Sequence, residues 1–103
     1  MKKTKVTFTS ERLRISSEIL RALAHPLRLQ ILGCIDKFGT SRVNKIYREL
    51  EIEQSITSQH LKIMRECGVL SAERNGKSVH YSINYDVVRR ASNAVNNFVG
   101  KVA

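Results

Sequence analysis

The residues able to do chemistry in this chain fall into a dense polar run and a few scattered reactive groups. The run Gln54-Ser55-Ile56-Thr57-Ser58-Gln59-His60-Leu61-Lys62 is rich in amides and hydroxyls and ends on an ammonium. These groups donate to and accept from base edges and phosphate oxygens. Arg74 and Lys77 bracket the dipeptide Asn75-Gly76 and add two cations at a second place. The remaining reactive groups do not assemble into a site. Cys34 and Cys67 form no close metal-type pair, and His25 and His80 have no ligand neighbours in sequence. Asp36, Glu49, Glu51 and Asp86 read as surface charges or helix-end partners, and no glycine-rich phosphate loop or Ser-His-acid arrangement appears. No enzyme and no cofactor are expected.

Composition narrows the partner. The chain has 103 residues, 42% of them apolar, which suits one domain with a real but limited core. Eighteen Lys and Arg against nine Asp and Glu give a formal net charge of +9. A small body with such a field favours a polyanion, because each neutralised phosphate releases condensed counterions. No apolar run approaches the length of a membrane span, and no basic, strongly hydrophobic helix suits an anionic membrane surface. The basic start, with Lys2, Lys3 and Lys5, is followed by no apolar stretch of the secretory kind, so a cytoplasmic location is expected. Residues 1–9 are read as a disordered basic arm, and residues 10–103 as one domain.

The elements that must position the polar run follow from caps, breakers and periodicity. Ser10 can cap a helix over residues 11–24, with Ile15, Ile19, Leu20 and Leu23 at helical spacing. Pro26 ends it and opens a second helix whose Leu27, Leu29, Ile31, Leu32 and Ile35 leave it apolar on most sides. Asn44 is a plausible cap for a short third helix over residues 45–51 that buries Ile46, Tyr47 and Leu50. A fourth helix over residues 54–67 stops at Gly68. Its helical projection groups Ile56, His60, Leu61, Ile63, Met64 and Cys67 on one side. Ser55, Ser58, Gln59, Lys62, Arg65 and Glu66 fall on the other. Cys34 and Cys67 take apolar-facing helix positions, where a free thiol packs as a small hydrophobe.

Residues 69–74 and 77–83 read as two strands joined by Asn75-Gly76 in a type I′ hairpin, whose central residues both need positive φ. A last helix follows Asn84. Val87, Val88, Ala91, Ala94, Val95, Phe98, Val99 and Val102 make one apolar stripe along it. The fold expected is mainly α with a small β-hairpin, a winged helix-turn-helix of five helices and a two-stranded wing. A helix with small polar residues fits the major groove, and a basic ribbon reaches the neighbouring backbone or minor groove. Gln54, Ser55, Ser58, Gln59 and Lys62 are the candidate contacts to duplex DNA from the fourth helix, with Arg74 and Lys77 from the wing. The helix start at Gln54 favours a phosphate. Ile56 is ambiguous between the core and contact with a thymine methyl group. His60 projects inward and is expected to be buried and hydrogen-bonded.

The stripes on the first and last helices are wider than a single core needs, which predicts a homodimer through Ile15, Ile19, Val87, Ala91, Val95, Phe98 and Val102. A two-fold dimer would set two recognition helices roughly 34 Å apart on an inverted-repeat site.

Four blocks carry a family resemblance: His25-Pro26-Leu27-Arg28-Leu29-Gln30-Ile31-Leu32, residues 54–62, Arg65-Glu66-Cys67-Gly68-Val69-Leu70, and the wing over residues 73–83. In this order and spacing the chain resembles the ArsR/SmtB repressors across residues 20–83. The resemblance implies a dimer built through the first and last helices, repression at an operator, and release when an inducer alters the dimer. Ile56 stands where such proteins often have Thr, and Thr57 where they often have Val. The inducer is not identified. The family's metal sensors carry a cysteine motif in the third helix or donor clusters in the last. Here the third helix has no cysteine, and the last offers Asp86 alone, with Val88, Val99 and Val102 at the other places. No metal is therefore expected. The alternatives are a thiol- or persulfide-responsive repressor using Cys34, and a winged-helix protein-interaction module. The first lacks a cysteine in the last helix, and the second lacks exposed apolar or aromatic anchors on the fourth.

Overall fold

The computed structural model describes the backbone of residues 11–102 and the side chains of residues 17–96. Five helices and three short strands follow one another as α1 (Glu11–Leu23), α2 (Pro26–Phe38), β1 (Ser41–Arg42), α3 (Val43–Leu50), α4 (Gln54–Glu66), β2 (Leu70–Asn75), β3 (Ser78–Ile83) and α5 (Tyr85–Val102). This is the expected winged helix-turn-helix, with one extra strand. Ser10, the arm over residues 1–9, and the side chains of Ile15, Phe98 and Val102 lie outside the described residues.

α2 is the central helix. The His25 imidazole caps it, Nδ1 accepting the Leu27 N–H at 3.2 Å, and Pro26 sits in the first turn, where its missing N–H costs nothing. Gly39 closes the helix at φ +82°, its N–H donating to the Ile35 carbonyl at 2.8 Å. Ile31, Leu32, Cys34 and Ile35 are buried from α2. They pack with Ile46 of α3, Leu61 and Met64 of α4, and Val69 and Leu70 at the entry to the wing. One core therefore holds the helix-turn-helix and the hairpin in fixed relation.

α3 starts earlier than expected. Asn44 is not its cap: Ser41 and Arg42 pair antiparallel with Tyr81 and His80 of β3, holding the chain extended through Arg42, so the helix begins at Val43. It also ends earlier, because Glu51 leaves the helix at φ +55° and turns the chain towards α4. α4 stops as a Schellman motif. Gly68 takes φ +89°, its N–H donates to the Arg65 carbonyl, and the Val69 N–H donates to the Met64 carbonyl at 2.9 Å. Cys67 is thus the cap rather than part of the helix.

The sheet order is β1-β3-β2. In the wing Asn75 pairs with Ser78, so the two-residue turn is Gly76-Lys77 rather than Asn75-Gly76. Gly76 has φ +67°, and neither Asn75 nor Lys77 has a positive φ. That corrects the type I′ expectation: a glycine at the first central position, with positive φ there only, is the II′ pattern. Arg74 and Lys77 remain at the tip. α5 leaves the wing through Asn84, whose N–H donates to the Val69 carbonyl at 2.9 Å, and it returns against α1.

Candidate nucleic-acid interface

The register of α4 decides which side chains face outward. Its buried residues are Thr57, Leu61 and Met64, spaced four and then three apart along one stripe. Thr57 is wholly buried because its hydroxyl donates back to the Glu53 carbonyl at 2.9 Å, satisfying its polar atom within the turn. The neighbouring Ile56, grouped by simple projection with the inward side, is instead 39% exposed. Gln54, Ser55, Ser58, Gln59 and Lys62 are all exposed, as are Arg65 and Glu66. The predicted contact residues therefore share one solvent-facing surface, supported from beneath by apolar packing. Lys62 reaches Glu66 at 4.0 Å, a long surface pair that leaves the ammonium available.

The two helices of the turn start in opposite electrostatic surroundings, α3 behind the cation Arg42 and α4 behind the carboxylate Glu53. Neither the cap of α3 nor that of α4 makes a side-chain hydrogen bond to its helix, and neither helix has an acidic residue in its first turn. The N-terminal N–H groups of α3, beside Arg42 and Lys45, are therefore the better placed to meet an anion. Around the start of α3, Arg42, Asn44, Lys45 and Arg48 line a small groove with Glu49. Arg42 donates from Nη1 to the Ser78 hydroxyl at 3.4 Å, tying this corner to the wing beside Lys77. The Lys45 ammonium lies 3.8 Å from the centre of the Phe38 ring. Arg42, Lys45 and Arg48 went unnoticed in the sequence. Their spacing of three along the chain was the available signal, and the β1–β3 pairing that gathers them was not visible there. Arg74 and Lys77 are exposed at the wing tip.

His60 is no base reader in this geometry. It is half-buried, its Nδ1 accepts from Arg28 Nε at 3.1 Å, and its ring meets that of His25 edge-on at 4.9 Å. Burial lowers its pKa below the usual 6.5, and the Arg28 and His25 charges lower it further. The neutral ring is thus an acceptor that links α2 to α4.

A groove along α1, α2 and α5 is mainly apolar. Leu20 of α1, Leu29 of α2, and Tyr85, Val88, Ala91 and Val95 of α5 line it. Ile19, Val87 and Ala91, predicted for a dimer contact, are half-buried, and Val95 is exposed. The Tyr85 hydroxyl donates to Asp36 at the groove's edge. Cys34 is buried in the core, and burial raises its pKa, so it stays a thiol. The half-buried Cys67 donates from Sγ to the Met64 carbonyl at 3.4 Å. Asp86 is paired with Arg90 at 3.0 Å. Among the described residues no three His, Cys, Asp or Glu side chains group as metal ligands, and no helix is long and apolar enough to cross a membrane.

Comparison with known proteins gives a consistent picture. The family described as "bacterial regulatory protein, arsR family" matches residues 25–72, from the cap of α2 into β2. The transcriptional repressor PagR of Bacillus anthracis is 41% identical over 68 residues, covering 66% of this chain and 68% of that protein. Its crystal structure superposes with a TM-score of 0.65 over 71% of this chain and 83% of that one. The HTH-type transcriptional repressor SmtB of Mycobacterium tuberculosis is 37% identical over 73 residues, which are 71% of this chain and 53% of SmtB. A homodimeric winged helix-turn-helix DNA-binding domain from Mycobacterium bovis, solved by NMR, is 26% identical with a TM-score of 0.74, covering 94% of this chain and 88% of that one.

Proposed function

This chain belongs to the ArsR family of transcriptional repressors, and from that premise we propose that it binds an inverted-repeat DNA operator as a homodimer. The observation that carries the reading is the composition of the exposed α4 surface. Gln54, Ser55, Ser58, Gln59 and Lys62 stand outward together on a helix fixed by Thr57, Leu61 and Met64 beneath. Gln and Ser address base edges, and Lys62 addresses a base or phosphate. Arg74 and Lys77 of the wing, with Arg42, Lys45 and Arg48 at the start of α3, supply phosphate contacts on either side. The second copy covers the apolar groove along α1, α2 and α5. Of the residues expected in this contact, Ala91 and Val95 line the groove, Ile19 and Val87 pack on the chain's own core, and Ile15, Phe98 and Val102 lie outside the described side chains; that the Mycobacterium bovis domain is described as homodimeric supports a dimer.

Repression here is binding without catalysis, and release follows from an effector that shifts the dimer. The family's familiar metal places lack their donors, which argues against a metal effector held there: α3 contains no cysteine, and Asp86 is the one Asp, Glu, His or Cys of residues 85–102. A thiol switch at Cys34 is disfavoured by its burial and raised pKa, since the thiolate is the reactive form. A protein-binding role for the α4 face is disfavoured by the lack of clustered apolar anchors there.

Selection of genomic DNA fragments by the purified protein at stated salt, followed by footprinting, tests the proposal. The expected result is one enriched sequence with two protected half-sites about one helical turn apart. Binding without sequence preference, or a single half-site occupied by a monomer, would overturn it.

A further inference from the structure

We infer that Ile56 is a specificity-determining residue, choosing thymine at one position of each half-site by contact with its C5-methyl group; this rests on the operator-binding reading above. Several large apolar side chains are exposed among the described residues, and all but one have a clear environment. Leu20, Leu29, Tyr85 and Val95 line the groove along α1, α2 and α5. Phe38 is covered by two ammonium groups, Lys37 at 5.2 Å and Lys45 at 3.8 Å from the ring centre. Ile56 remains, 39% exposed in the first turn of α4, on the flank of the outward face between the exposed Gln59 and the half-buried His60.

An isolated exposed isoleucine would by itself mean little. Its meaning here comes from its place in the helix. The first turn of a recognition helix is the part that meets base edges, and Ile56 shares a face with Gln59, three residues further on. Within the major groove the only apolar feature a base pair offers is the thymine methyl group. A branched aliphatic side chain can make no hydrogen bond to a base, so it favours the one base that buries it and leaves donors or acceptors unpaired against the others. Gln59 complements it, since a glutamine amide pairs with N6 and N7 of adenine. The exposure is a consequence of Thr57, which takes the inward position its hydroxyl can satisfy on the Glu53 carbonyl and so turns residue 56 outward.

Uracil for thymine substitution isolates the methyl group, because deoxyuridine keeps every hydrogen-bonding atom of thymidine and lacks only that group. Each thymine of the selected operator is replaced in turn, and affinities are measured for the wild-type protein and for Ile56→Ala. At one position per half-site the wild-type protein should lose roughly three- to tenfold in affinity, the scale of one buried methyl contact. Ile56→Ala should lose a similar factor on the thymine operator and be indifferent to uracil at that position, so that the two changes do not multiply. The substituted side chain is exposed and alanine is a strong helix former, so the fold is retained, which circular dichroism checks. Equal wild-type affinity for every uracil operator would overturn the inference while leaving operator binding intact. So would an Ile56→Ala protein that keeps the methyl dependence. Absence of any sequence-selective DNA binding would overturn this inference together with the proposed function.

Discussion

On the α4 side of the molecule the core has drawn in what it needs, and the outer surface is polar; on the α1–α5 side the apolar residues continue to the surface. Thr57, Leu61 and Met64 are buried beneath an outer face of Gln54, Ser55, Ser58, Gln59 and Lys62. In the groove along α1, α2 and α5, Leu20, Leu29 and Val95 keep 37%, 51% and 45% of their surface exposed. A polar face on a packed helix is complete within one chain and presents fixed donors to a partner that is itself polar. An apolar groove of adjacent residues is unfavourable in water until something covers it. The contrast teaches that one chain suffices to shape the α4 face, whereas the apolar side is left for another surface to cover, the second copy in the proposed dimer.

Substitutions on the two sides should therefore fail in different ways. The largest effect is expected beneath α4. Leu61→Ala removes a wholly buried side chain and should cost about 2–5 kcal/mol of stability, seen in chemical denaturation at fixed protein concentration. Val95→Asp should leave the fold intact by circular dichroism, yet give a monomer in sedimentation and lower operator affinity ~100-fold or more, because bivalent binding is gone. A Val95→Asp protein that stays dimeric and binds normally would erase the distinction between the two faces. Lys77→Ala is expected to be milder: affinity should fall evenly across sequences, and the salt slope should shrink by roughly one for each phosphate that Lys77 neutralises. An unchanged slope would remove the wing tip from the interface.

The smallest effect sharpens the comparison at the joint between α2 and α4. The His60 pKa lies below 6.5 in the fold. The unfolded chain therefore takes up the proton first as the pH falls, and the stability associated with the neutral ring is lost from about pH 6.5 downward. Thermal melting between pH 7 and 5 should accordingly fall more steeply for the wild-type protein than for His60→Gln. Parallel pH profiles would mean that the Arg28–His60–His25 cluster has no part in acid sensitivity.

Much of this architecture was legible because its signals are local. His25-Pro26 marks a helix start, Gly68 a helix stop and Gly76 a hairpin, each through backbone geometry that a few residues dictate. The exposed residues of α4 were legible for the same reason, since a helix repeats whatever the rest of the chain does. The misplacements came where a local rule had two solutions. Asn75 and Lys77 competed for the turn beside Gly76, and pairing of Asn75 with Ser78 chose the later register. Asn44 gave way to Arg42 as the helix cap, because β1 pairs with a strand far along the chain.

The sequence by itself determined the order of the five helices and the two wing strands, the polar surface of α4 and the excess of positive charge, because propensity, periodicity and ionisation belong to residues and their near neighbours. Only the tertiary structure decided that Thr57 rather than Ile56 faces the core, and that Arg42 joins the start of α3 to the wing. It also decided that His60 is held neutral against Arg28. Each of these depends on which distant atoms share a small volume, where burial, hydrogen bonding and charge act together.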